Sequence, residues 1–347
     1  MPKTPTLRDI AAKADVAIST VSSVLNNRAN VTPETRERVL RAAAELGYRQ
    51  RLVADSPFSA QLSTIGLITK HRNGDPLVVN PFYSYIIAGV ERECQRYNMN
   101  LMYATVEVDD RNHTLSLPGM LLNELVDGVI IVGAFLEESL TDISRRAERN
   151  LVLIDGYTSK ETFDSVLMDN FGGAVNAVSY LIDHGHRHIG LIGSNRDSYP
   201  SILERRRGYV AALTQAGLVD RYIEEGLHNR ASAFDATLRL LRRHPQITAI
   251  FACNDESAIG VMNAARLLGY SIPDTLSVVG FDDIDLAQEV TPALTTVHVD
   301  KVLMGTMALR LLRDRVNEPG RAAVSTVVTT QLITRDSVHW IKDEHLG

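Results

Sequence analysis

Cysteine is scarce in this chain: Cys94 and Cys253 are the only two thiols among 347 residues, and they lie far apart. Two so widely separated thiols argue against a disulfide framework or a cysteine-built metal site, and so sparse a use of thiols suits a reducing compartment. Long apolar runs are lacking too. No stretch approaches the ~18 uninterrupted apolar residues a membrane helix needs, and the opening MPKTPTLRDIAAKADVA has no apolar core of signal-peptide length. The expectation is a cytoplasmic protein with no membrane partner. No G-x-x-x-x-G-K-[ST] phosphate loop, low-complexity tract or short-period repeat occurs. What is present is ordinary for a globular protein, with 45% apolar and 22% charged residues. A chain of this length favours two or three domains over one.

The net charge of -6 is unevenly spread. Residues 1–60 hold nine Lys and Arg against six Asp and Glu, which leaves the first 60 residues at +3 and the remainder at -9. A small basic head on an acidic body is a weak pointer to nucleic-acid contact at one end.

Three short helices are readable in the head. Thr6 followed by Asp9 forms an N-cap pair opening a helix through about Ala14, with Leu7, Ile10 and Ala11 on its buried stripe. After the turn Ala14-Asp15-Val16, a second helix over about Ile18 to Asn26 turns Val21, Val24 and Leu25 inward and leaves Ser19, Thr20, Ser22, Ser23 and Asn26 outside. A third starts with Thr32 as cap, Pro33 at the first helical position and Glu34 in the first turn, and stops at Gly47. Two helices joined by a tight turn and followed by a third spell helix-turn-helix.

From Thr64 onward, apolar runs at Ile65–Thr69, Leu101–Val106, Gly128–Val132, Leu151–Ile154, Val166–Met168, Ile189–Ile192, Ala249–Ala252 and Ser277–Phe281 alternate with amphipathic stretches such as 83–97, 172–183, 203–216, 232–243 and 256–268. Continuous apolar strands in repeated β-α-β order mean parallel sheets covered by helices on both faces. Nearly 280 residues exceed one ordinary sheet, so two such lobes are expected.

The head sequence TLRDIAAKADVAISTVSSVLNNRANVTPETRERVLRAAAELGY resembles the LacI/GalR family of bacterial transcriptional regulators. The resemblance continues through Ile65-Gly66-Leu67-Ile68, Asn80-Pro81-Phe82-Tyr83, Asp127-Gly128-Val129-Ile130, Asp169-Asn170, His184-Gly185-His186-Arg187-His188, Arg205-Arg206-Arg207-Gly208-Tyr209, Asn254-Asp255, Gly280-Phe281-Asp282-Asp283 and Leu294-Thr295-Thr296-Val297. Each segment is short, but their common order spans about 330 residues. The resemblance implies a helix-turn-helix domain over 1–49, a hinge or linker over 50–61, and a periplasmic-binding-protein-like α/β core of two Rossmann-like lobes over 62–340, with a tail at 341–347. The first lobe would take 62–164 and 293–322, the second 165–292 and 323–340, with crossings near Ser165, Pro292 and Ala323. The implied function is a homodimeric repressor that binds pseudo-palindromic operator DNA under the control of a small effector, a sugar, without a cofactor.

By position in the family pattern, Ile18, Ser19 and Ser23, with Arg8, read base edges, and Thr20, Ser22, Asn26, Thr32 and Tyr48 position phosphates. Tyr48 can equally seal the head's small core. Members often carry Arg or His where Ser23 stands, and Ala17 occupies the place of a Ser N-cap. The linker departs further: Asp55 would repel phosphate and Pro57 ends helices, so a linker that does not insert into the groove is expected, with Phe58 as a shifted wedge the alternative.

For the effector, the pattern places Asp155, Arg205, Asn254 and Asp282 around a cleft, a donor and acceptor set suited to a hydroxyl-rich neutral ligand. Phe82, Tyr83 and Phe281 offer flat faces, and His228 stands where relatives often have an aromatic. The alternatives are that Asp155 and Asp282 brace loops and that Asn254 caps the helix after it. His184, His186 and His188 alternate at a helix-to-strand turn and read as turn residues, so no metal is expected. Asp282-Asp283 has no nucleophile beside it, so the chain is not expected to be an enzyme. Two other readings remain, a cytoplasmic sugar-binding protein without DNA function and a carbohydrate-acting enzyme.

Overall fold

The computed structural model describes residues 6–25, 31–46, 62–72, 81–109, 114–133, 137–147, 150–156, 158 and 162–341. Its contacts divide the chain after Gln61 into a head and a core.

The head holds α1 (Leu7–Ala14), α2 (Ile18–Leu25) and α3 (Pro33–Glu45). The Thr6–Asp9 pair is a full capping box: Thr6 N donates to Asp9 Oδ2 at 2.7 Å and Asp9 N to Thr6 Oγ1 at 3.4 Å. Asp15 ends α1 in the left-handed region at φ 49°, which reverses the chain within three residues. At α2 the N-cap place holds Ala17, whose carbonyl accepts from Thr20 N and Val21 N and whose methyl group has no oxygen to offer the helix amides. Thr32 Oγ1 accepts from Thr35 N at 3.4 Å and opens α3. Ile10, Ala11, Ala14, Val21, Val24, Val39, Ala42 and Ala43 close over one another as the head's core.

In the core, β1 (Thr64–Arg72), α4 (Pro81–Arg96), β2 (Asn100–Val108), α5 (Gly119–Leu122), β3 (Gly128–Val132), α6 (Glu137–Arg146), β4 (Leu151–Ile154) and β5 (Asp164–Met168) build the first lobe. The second contains α7 (Asn170–Asp183), β6 (Ile189–Ile192), α8 (Pro200–Gln215), β7 (Tyr222–Ile223), α9 (Arg230–Arg243), β8 (Ala249–Ala252), α10 (Asp255–Leu267), β9 (Ser277–Val279) and α11 (Leu286–Glu289). Then β10 (Thr296–Val299) crosses back, α12 (Lys301–Asn317) packs on α4 and on β3, β4 and β5, and β11 (Ser325–Val328) and β12 (Thr330–Ile333) follow. The first sheet runs β11-β5-β4-β3-β1-β2, all parallel; the second runs β7-β6-β8-β9, also parallel; β10 and β12 pair antiparallel.

Two features depart from the sequence reading. Helices α4, α7, α8, α9 and α10 begin one to three residues earlier than the apolar spacing suggests. Asp169, Asn229 and Asn254 cap three of them, and a polar first turn carries no apolar mark. The change of lobe also falls later than the implied crossings at Ser165 and Ala323. All of β5 and β11 pair within the first sheet, Ser165 opposite Ser325 through Met168 opposite Val328, so the chain leaves that lobe at about 168–170 and 328–330. Asp164 fixes this corner: Arg315 Nε donates to it at 2.8 Å, Arg321 Nη1 and Nη2 at 2.9 Å and Val324 N at 2.8 Å.

Helices α4 and α12 meet backbone to backbone. A Cβ on Gly305 would lie 2.1 Å from the Ile86 carbonyl oxygen, and one on Gly89 2.2 Å from that of Val302. Only glycine permits this approach, which lets α12 lie directly on α4.

Candidate functional site

On the head, Arg8 and Ile18 are exposed, Ile18 at 43% although it is apolar, and Thr20, Ser23 and Thr32 are at least partly open to solvent. Ser19 and Ser22 lie on α2 with their side chains outside the description. Asn26, Tyr48, Asp55, Pro57 and Phe58, and with them the hinge, lie outside the described residues.

In the core, the candidate site gathers at carboxyl ends of the parallel strands, the place where open α/β sheets bind ligands. Asp155 follows β4 in the left-handed region at φ 53°. At the end of β3, Gly133 (φ 90°) gives room to Tyr83, whose Oη would lie 3.1 Å from a Cβ there. Asp282 lies just past β9 at φ 112°.

Arg205, from the second turn of α8, is the hub and only 3% exposed. Its Nε donates to Asn170 Oδ1 at 2.8 Å and its Nη1 to the Cys253 carbonyl at 2.6 Å. Nη2 stands 3.0 Å from Asp282 Oδ1 as an ion pair. No N–H is aligned on that oxygen, so Asp282 Oδ1 stays without a hydrogen-bond partner, as does the buried Oδ1 of Asp155. The guanidinium lies 3.8 Å from the centroid of Phe281. Phe281 is thus fully buried and supports Arg205 with its ring face, and Phe82 is buried too, edge-on to Tyr83 at 5.4 Å.

The electrostatics follow from burial. Desolvation pushes the Asp155 carboxyl up to about 7; Asp282 adds to the rise, while Arg205, Lys70 and the Ser201 hydroxyl oppose it. Asp282 is raised as well, by burial against the pull of Arg205 and Lys301. Behind it, burial and Asp282 push Asp255 up to about 8, although Thr296 Oγ1 and Ile284 N donate to it. Tyr83 is held far above the ordinary phenol range by burial and by Asp155, so it stays a neutral donor. Asp283 behaves oppositely: burial alone would raise it, but Arg335 Nη2 at 2.6 Å and His298 Nδ1 at 2.8 Å hold it below the usual carboxylate range.

Asn254 performs the capping alternative: its Oδ1 accepts from Ser257 N at 3.0 Å and its Nδ2 donates to the His228 carbonyl at 3.0 Å. The His228 ring stands 5.3 Å from Tyr199, and Lys70 Nζ lies 3.9 Å over that tyrosine's centroid. Lys70, Asn170, Tyr199, Ser201 and Lys301 escaped the sequence reading as site residues. Lys70 had a usable signal, a cation directly after the apolar run Ile65–Thr69 of β1; Tyr199 precedes Pro200, which marks only a helix start. Of the histidine triplet, His186 accounts for itself within the fold, with Nδ1 2.9 Å from Thr248 Oγ1 and Nε2 3.1 Å from the His339 carbonyl. Among the described residues no group of three His, Cys, Asp or Glu is arranged to hold a metal ion, and no helix is long and apolar enough to cross a membrane.

Comparison with known proteins agrees with this architecture at both ends of the chain. Residues 6–50 match the model of bacterial regulatory proteins of the lacI family, and residues 178–338 that of a periplasmic binding protein-like domain. A ribose operon repressor of Haemophilus influenzae is 33% identical over 340 residues, covering 97% of this chain and 99% of its own. Among solved structures, a transcriptional regulator CelR–cellobiose complex superposes with a TM-score of 0.69 at 30% identity, over 96% of this chain and 99% of that one. The lac repressor dimer bound to operator and the anti-inducer ONPF superposes with a TM-score of 0.71 at 25% identity, over 97% and 100%. With a helix-turn-helix head, two parallel-sheet lobes and a relative matched end to end, this chain belongs to the LacI family of bacterial regulatory proteins.

Proposed function

We propose that this protein is a repressor of transcription that binds operator DNA as a homodimer and is released or engaged by a small sugar held between its two lobes. The observation that carries the reading is the buried Arg205 hub beside two buried carboxylate oxygens, Asp155 Oδ1, which has no hydrogen-bond partner, and Asp282 Oδ1, which is met only by the Arg205 ion pair. A buried acceptor left open costs about 1–3 kcal/mol. Hydroxyl donors of a polyol would supply the missing hydrogen bonds, and the Arg205–Phe281 stack keeps the hub rigid for them.

In the head, Arg8, Ile18, Ser19 and Ser23 read base edges while Thr20, Ser22, Asn26, Thr32 and Tyr48 hold phosphates. Phe82, Tyr83, Asp155, Arg205, His228, Asn254, Phe281 and Asp282 form or support the effector site. The relatives named for a ribose operon and solved in complex with cellobiose define the first probes. Thermal denaturation of the full chain with D-ribose, cellobiose and a wider set of neutral sugars tests the reading, because a ligand that binds only the native state raises Tm. A chain starting at Ser63 should keep that shift and lose binding to the operator duplex. Absence of any shift across the set sinks the sugar assignment.

A further inference from the structure

The carboxylate of Asp282 is aimed by a backbone that would not hold itself. Asp282 (φ 112°) and Asp283 (φ 50°) are consecutive non-glycine residues on the unfavourable side of φ. Such residues persist only where their surroundings over-determine them. Part of that restraint is local to the second lobe and the crossing strands: Asp282 N donates to the Val297 carbonyl at 2.9 Å, Ile284 N to Asp255 Oδ2 at 2.9 Å, and Arg335 and His298 grip the Asp283 side chain.

The remainder comes from Lys301. This lysine is the first residue of α12, is 5% exposed, and directs its Nζ at three carbonyl oxygens: Asp282 at 2.5 Å, Asp283 at 3.1 Å and Val299 at 3.5 Å. An ammonium has three donors and no acceptor, and here three acceptors meet it. Helix α12 packs on α4 and on β3, β4 and β5, so it belongs to the first lobe, whereas the Asp282–Asp283 turn belongs to the second. One side chain therefore ties the strained turn of one lobe to a helix of the other.

We propose that Lys301 is the positioning residue of the effector site, fixing the backbone that aims the Asp282 carboxylate and coupling that backbone to α12. The role rests on the reading of Asp282 as an effector contact, and Lys301 itself touches no ligand. Without the ammonium, the two carbonyls lose their charged donor and the turn relaxes toward ordinary φ, which moves the carboxylate off Arg205.

The test is the full-length Lys301→Met variant, which keeps an unbranched apolar stem, measured by backbone hydrogen exchange and by calorimetric titration with D-ribose and cellobiose. Peptides spanning 280–286 should exchange about tenfold faster than in the wild type, while peptides from β6 and β8 stay within about twofold. For whichever sugar the wild type binds, Kd should rise about tenfold. Unchanged exchange in 280–286 of a folded variant overturns the proposal. So does faster exchange spread evenly over the second lobe, which would make Lys301 a general stabiliser. If neither sugar binds the wild type, the sugar reading of the site is what suffers, and the exchange comparison still decides the role of Lys301. Should Lys301→Met not fold, Lys301→Gln, whose neutral amide still donates to two carbonyls, carries the same comparison and should speed exchange over 280–286 by about threefold, with β6 and β8 unchanged.

Discussion

Arg205 and Asp282 sit 77 positions apart in the chain and 3.0 Å apart in the fold, both buried, in an ion pair that leaves Asp282 Oδ1 without an aligned donor. The guanidinium also holds Asn170 and the Cys253 carbonyl, so it joins the start of α7, the end of β8 and the loop after β9.

Removing either partner should have separable effects. Arg205→Ala leaves Asp282 as an uncompensated buried charge and should cost roughly 3–5 kcal/mol of stability, read by chemical denaturation. Asp282→Ala should abolish the response to ligand while operator affinity holds. Wild-type ligand affinity in Asp282→Ala would reassign that residue to bracing the loop.

Stability should fall on the acid side through His186. Nδ1 accepts from the Thr248 hydroxyl while Nε2 donates to the His339 carbonyl, an arrangement that uses the neutral ring, and burial draws its pKa down to about 4. In the unfolded chain this histidine titrates near 6.5. Between these values the unfolded state binds more protons, so the contribution is complete above about pH 6.5 and is lost as pH falls toward 4. The raised acids Asp155 and Asp255 slope the other way over an overlapping range. Subtracting the profile of His186→Gln from that of the wild type isolates the histidine, and a flat difference between pH 4 and 6.5 refutes the assignment.

The α4–α12 contact should tolerate no side chain. Gly305→Ala puts a Cβ on the Ile86 carbonyl and should destabilise by roughly 1–3 kcal/mol. Gly320→Ala, where nothing lies within 4 Å and φ is not positive, should be neutral or slightly stabilising. Equal Tm values for the two variants would show that the helices part freely.

On the head, binding of a palindromic duplex should weaken steeply with salt, since released counterions supply much of its driving force. Ser19→Ala and Ser23→Ala should change the motif returned by randomised-site selection, whereas Thr20→Ala should weaken all sequences alike. An unaltered motif in both serine variants would move the reading face elsewhere on α2.

Local chemistry was enough for much of this. The Thr6–Asp9 box, the Thr32-Pro33 start of α3 and the strands at 128–132, 151–154, 189–192 and 249–252 are each written within a few residues, because caps and continuous apolar runs act on their own neighbourhood. Family resemblance then named Arg205 and Asp282. Only the tertiary structure decided what those residues meet. The register that keeps β5 and β11 in the first sheet, the two open carboxylate oxygens, the approach of α12 to α4 at Gly89 and Gly305, and the reach of Lys301 to the Asp282 carbonyl all join residues distant in sequence. Such contacts depend on how whole layers pack, and a lysine opening a helix carries no mark in the sequence of the carbonyls it will find.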